Sequence, residues 1–221
     1  MPKLADADLK THLRKGRNLI VELKRVALEK GSYWPEGDGR LLFHLASYVE
    51  KQIDAALRAT MANAAIDLAW ATRNLFELTI ISDYLSRSAE NRNQFTIDCD
   101  LDTLEIMEKL SAIDARDPEA EPDDNVEAKR VRIQQRTASC GRKTSRDTRA
   151  IAQVIARENE FKELYKVFSK LSHPTAWAIL GGSQESIAWD KFCLYLLLRC
   201  NGYGAECYRV LADADIAINA V

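Results

Sequence analysis

Apolar residues recur along this chain with the spacing of one helix face, and the segments that interrupt the pattern are short. Leu9, Leu13, Leu19, Leu23 and Val26 fall near one stripe between about Asp6 and Lys30, and Gly31 supplies a stop. SYWPEGDG is a turn by composition and separates this helix from a second, predicted from about Arg40 to Met61. A third follows from about Asn63 to Ser88. NRNQFTIDCD reads as a loop, in which Asp100 or Asp102 can cap a short helix through about Ile113. Two further helices, roughly Thr148 to Arg157 and Glu160 to Ser172, lead to Pro174. LGGSQES is a second turn with Ser183 as its cap, before a stretch from about Glu185 to Leu198 and more helix after Gly204. Strand-like alternation is missing from the pattern, and so is any internal repeat. The expectation is an all-α fold: a multi-helix bundle of long antiparallel helices, one domain over residues 1–221, with a charged loop insertion.

Composition narrows this picture. With 221 residues and 47% hydrophobic content the chain can bury a sizeable core. Its 9 Gly and 5 Pro are too few for an all-β chain full of tight turns. Lys and Arg number 31 against 33 Asp and Glu, so no global field steers the protein to DNA or a membrane. No run has the length and apolarity of a membrane span, and MPKLADADLK lacks the apolar centre of a signal peptide. Five cysteines without a CxxC pair fit reduced thiols, hence a cytoplasmic setting.

Charge is uneven in one region. Residues 114–127 carry seven acids (Asp114, Asp117, Glu119, Glu121, Asp123, Asp124, Glu127) and two prolines, and read as an acidic mobile loop. Residues 129–149 then carry eight basic side chains against one acid, Asp147. Arg130, Arg132, Arg136, Arg142 and Lys143 are the candidates for contacts with RNA phosphates. Aromatic residues that would stack on bases are missing from the stretch. The other reading is a solvated face whose charge the acidic loop offsets.

Two constellations carry candidate chemistry. Tyr165, Ser169 and His173 recur every four residues in YKVFSKLSHP, which places a phenol, a hydroxyl and an imidazole along one helix side. Pro174 biases His173 away from helical angles, so the ring sits at or just past the helix end. There it can act as general acid or base, or simply cap a terminal carbonyl. Arg73 and Glu77 lie in the apolar run AAIDLAWATRNLFELTIISDYL, on a side shared with Ile66, Trp70, Ile80 and Tyr84. A charged pair on an apolar stripe needs partners, because an isolated buried charge is very costly. Either the pair is structural, with Arg73 reaching across to Tyr165 or Ser169, or the guanidinium fork binds an anion.

Other chemistry falls away. Cys193, Cys200 and Cys207 recur every seven residues; on one helix neighbours stand about 10 Å apart, too far to share a metal. No HExxH, phosphate loop or nucleophile elbow is present, so neither a metal nor a cofactor is expected.

RNLFELTIISDYL followed later by YKVFSKLSHP is similar to a bacterial all-helical family. Its members carry Arg-x-x-x-Glu on an early long helix and Tyr-x-x-x-Ser-x-x-x-His near the end of a later one. Arg73, Glu77, Tyr165, Ser169 and His173 fill those positions. More loosely, the chain resembles the HEPN helical bundles of toxin–antitoxin and phage-defence systems, many of them dimeric ribonucleases with an Arg followed by four to six residues and a His. Leu78, Thr79 and Ile80 stand where that histidine would follow Arg73, and Arg40 precedes His44 by three intervening residues. The resemblance implies a homodimer with an RNA or protein partner, a dimeric binding or interaction module linked to stress or phage defence. The alternative it implies is a hydrolase acting on RNA phosphodiesters, with His173 as acid/base and Arg73 as phosphate contact.

Overall fold

The computed structural model describes residues 6–31, 38–114, 124–138, 140–172 and 187–218. Among these, every regular element is a helix, which makes the protein an all-α helical bundle. In chain order the helices are α1 (Asp6–Gly31), α2 (Asp38–Met61), α3 (Ala65–Arg87), α4 (Ala89–Asp114), α5 (Asp124–Thr137), α6 (Thr148–Val154), α7 (Glu158–Ser172) and α8 (Ile187–Ile218). They fall into two compact units. Residues 1–87 and 148–221 form the first, and residues 88–147 form the second.

In the first unit α3 is the central element, packing against α2, α6, α7 and α8, while α1 packs against α2 and α8. Leu75, Phe76 and Ile80 on α3 are fully buried, as are Ile53 on α2, Leu23 on α1 and Leu196 and Leu197 on α8. Burial of such side chains contributes roughly 1.5–3 kcal/mol each. The corner between α2 and α3 is a Schellman closure: Ala64 N donates to Ala59 O at 2.8 Å and Asn63 N to Thr60 O at 3.2 Å. Asn63 takes the left-handed conformation this needs, with φ 54°.

Two stretches differ from the sequence expectation. NRNQFTIDCD is part of α4, not a loop. Ser88 caps that helix, its Oγ accepting from Asn91 N at 3.0 Å, and Asp98 within it is held by tertiary ion pairs. Those contacts override the weak helix propensity of Asn and Asp. The last helix likewise does not break between Leu198 and Gly204, but runs unbroken through Gly202 and Gly204. A Cβ at Gly204 would stand 2.8 Å from both Ile53 Cδ1 and Leu19 Cδ2, so the glycine is there for close packing of α8 on α1 and α2. Cys200 and Cys207 on this helix are buried packers, each thiol pushed up to about 12 by desolvation.

The second unit is built on α4 packed against α5, with Leu101, Met107 and Ile133 buried. Most of the acidic loop, residues 115–123, lies outside the described residues, as does the Ser183 cap. From Asp124 the chain is already helical, so α5 takes in Glu127 and the first part of the basic stretch. No described helix is long and apolar enough to cross a membrane.

Candidate functional site

The middle of α3 carries Arg73 and Glu77 one turn apart, and α7 brings Tyr165 to them. Arg73 Nε donates to Glu77 Oε1 at 3.0 Å, and its Nη2 donates to Tyr165 Oη at 3.1 Å. The guanidinium carbon stands 4.6 Å from the Tyr165 ring centroid and 6.0 Å from that of Trp70, so an aromatic face flanks the cation. Thr148, at the start of α6, donates from Oγ1 to Glu77 Oε2 at a long 3.4 Å. The Arg73 and Glu77 side chains are only 15% and 25% exposed. A half-buried pair of this kind keeps its charge because each group is hydrogen-bonded.

The same face of α3 anchors an aromatic cluster. Phe76 is fully buried, with ring centroids 6.0 Å from Phe161, 6.2 Å from Phe168 and 5.4 Å from Tyr203. Phe161 in turn stacks on Tyr165 at 5.0 Å, so the phenol that receives Arg73 is positioned by the core itself. Tyr203 Oη is buried without a hydrogen-bond partner, and its hydroxyl is pushed up to about 12, by desolvation before any neighbouring charge.

Of the five residues singled out for chemistry, the structure thus unites Arg73, Glu77 and Tyr165. Ser169 is half-buried on α7, one turn beyond Tyr165. His173 lies outside the described residues. Thr148 joins the site without a signal in the sequence, since a lone threonine at a helix start reads only as a cap.

A second ionic cluster was not foreseen. Arg157, at the corner between α6 and α7, donates to Glu160 Oε2 at 2.8 Å and to Glu206 Oε1 on α8 at 2.8 Å, with Asp83 on α3 4.0 Å away. The hydrogen bond with Glu160, more than the charge of Glu206, raises its guanidinium above the ordinary value. Arg87 binds Asp83 at 3.0 Å and the Ile155 carbonyl at 3.2 Å. Arg87–Asp83 and Arg157–Glu160 are local pairs, but their meeting with Glu206 joins three separated segments, which no local spacing reveals.

In the second unit the basic candidates are largely engaged. Arg130 binds Glu127 at 2.7 Å, and Arg136 binds Asp100 at 2.7 Å. Arg142 donates to Asp98 Oδ1 at 2.5 Å and to Gln94 Oε1 at 3.1 Å. Arg146 closes on Asp98 Oδ2 through Nε at 2.9 Å and Nη2 at 2.8 Å, and its backbone N reaches Oδ1 at 3.1 Å. The Asp98 side chain is 4% exposed, the most buried carboxylate of this group. Arg132 and Lys143 are exposed. Among the described residues no group of His, Cys, Asp and Glu could hold a metal ion. Comparison with protein-family models, curated proteins and solved structures finds no match to this chain.

Proposed function

We propose that the protein is a helical-bundle interaction module that works by binding a protein partner, and not by breaking a bond. The observation that carries this reading is the occupied state of Arg73: its Nε is on Glu77, its Nη2 on Tyr165, and aromatic rings flank it. A phosphate contact would have to displace both partners from a side chain that is 15% exposed. The internal ion pairs of Arg130, Arg136 and Arg142 favour the same reading over an RNA interface, because a cation already neutralised releases fewer counterions on binding.

The test is an assay of purified protein on mixed RNA, alongside Arg73→Ala and His173→Ala. The expected outcome is no cleavage by any of the three, with weak binding that shows no steep dependence on salt. Cleavage by the parent chain that both substitutions abolish, in variants that keep their helical circular dichroism, would overturn the proposal in favour of the RNA hydrolase.

A further inference from the structure

On α4, Cys99, Thr103, Ile106, Leu110 and Ile113 follow one another at steps of four, three, four and three residues, the spacing of a two-helix seam. Leu101, on the opposite side of the helix, is buried in the second unit. The seam itself is not covered: Ile106 is 57% exposed, Leu110 53% and Ile113 59%. Single exposed apolar residues are ordinary, but three in register on one helix face mark a docking surface.

The charges beside this seam indicate what covers it. Asp102 and Lys109 are seven residues apart, so they lie on one flank of the seam, and both are exposed. They bracket Ile106 almost symmetrically. If a second α4 lies antiparallel with Ile106 near the two-fold axis, Asp102 of each copy faces Lys109 of the other, and the contact is made twice. A parallel pairing would carry the two copies' Asp102–Lys109 flanks to opposite sides of the seam, so neither Asp102–Lys109 contact would form. Asp102 also accepts from Ser145 Oγ, and Lys109 is paired with Glu105 on its own helix. A carboxylate and an ammonium each retain sites for a further partner.

We propose that the outward face of α4 binds the same face of a second copy of this chain, antiparallel and centred near Ile106. This rests on the interaction-module reading and names its surface and partner. Ile106, Leu110 and Ile113 span about two turns, the small end of interface sizes, where weak, transient association is expected, with a dissociation constant on the order of micromolar or weaker.

Sedimentation of the full chain from roughly 1 to 300 µM tests it, since that range brackets a micromolar constant. The parent chain is expected to shift from monomer to dimer, and Leu110→Glu to stay monomeric. Asp102→Lys and Lys109→Asp are each expected to weaken association by roughly tenfold, because the pair occurs twice, and the double variant to restore it. In a Cys99→Ser background, Ile106→Cys is expected to give a disulfide-linked dimer under mild oxidation while Ile113→Cys is not. A monomer at every concentration, a dimer indifferent to Leu110→Glu, or a charge swap without rescue would each overturn the pairing. None of these outcomes bears on RNA cleavage, so failure here and failure of the broader reading are separable.

Discussion

The two units hold an arginine against a carboxylate in opposite ways. In the first, Arg73 and Glu77 sit on α3 beside an aromatic cluster centred on Phe76, and the helices around them bury a continuous set of aliphatic residues. In the second, few apolar side chains are buried among the described residues, and a 4%-exposed aspartate gathers two arginines from the segment that leads out of the unit. The contrast separates two uses of an ion pair. Where apolar burial supplies most of the stability, the pair fixes which helix faces meet. Where burial is scant, the pair is itself the fastening.

Phe76→Ala bears hardest on the first half of this contrast. Phe76 is fully buried and meets Phe161, Phe168 and Tyr203, so its loss removes the shared anchor of α3, α7 and α8. Truncating a core phenylalanine costs about 3–5 kcal/mol. Chemical denaturation is expected to show a loss of that order, with amide exchange accelerated throughout the first unit. A loss below about 1 kcal/mol would mean that apolar packing is not what holds this unit.

Asp98→Asn breaks the second half. The substitution keeps the shape and removes the charge, leaving Arg142 and Arg146 without their shared anion. Breaking a buried pair costs about 3–5 kcal/mol, and the arginines are 28% and 22% exposed, so the lower end, about 3 kcal/mol, is expected. Hydrogen exchange should show α4, α5 and residues 140–147 losing protection while α1, α2, α3 and α8 keep theirs. Uniform loss in both units would erase the distinction drawn between them.

These outcomes also explain what was legible in the sequence. The apolar stripe of α1 predicts its helix because a periodic pattern records burial of one face, whereas α3, buried on most of its sides, is legible as a long apolar run rather than a stripe, and Ile66 and Trp70 of its expected stripe are exposed. The meeting of Arg73 with Tyr165 was anticipated because a charged pair on an apolar stripe requires partners, and α7 offered a ladder of polar groups. Residues 91–100, the first part of α4, read as a loop because helix there depends on Ser88 and on Arg142 and Arg146, whose contributions leave no period in that stretch, whereas the helix through about Ile113 is legible. The break that the sequence suggests between Leu198 and Gly204 has a related reason. The value of Gly204 lies in the side chains of Ile53 and Leu19 that it admits, which are remote in the sequence.

Tyr165→Phe is the smallest and sharpest of the tests. It deletes one hydroxyl while keeping the ring that stacks on Phe161 and lies under the Arg73 guanidinium. Arg73 retains Glu77, so the hydrogen bond lost is one charge-assisted contact at a half-buried site, worth about 1–2 kcal/mol. If this contact chiefly fixes how α7 meets α3, stability should fall by that amount and α7 amides should exchange faster, with α2 and α8 unchanged. If Tyr165 instead belonged to a catalytic group, the hydroxyl would matter to turnover far more than to stability, and the variant would unfold at the denaturant concentration of the parent chain. A fall confined to α7 places Arg73 with the aromatic core, as a device for choosing a helix face, and sets it apart from Asp98, whose charge keeps the second unit closed.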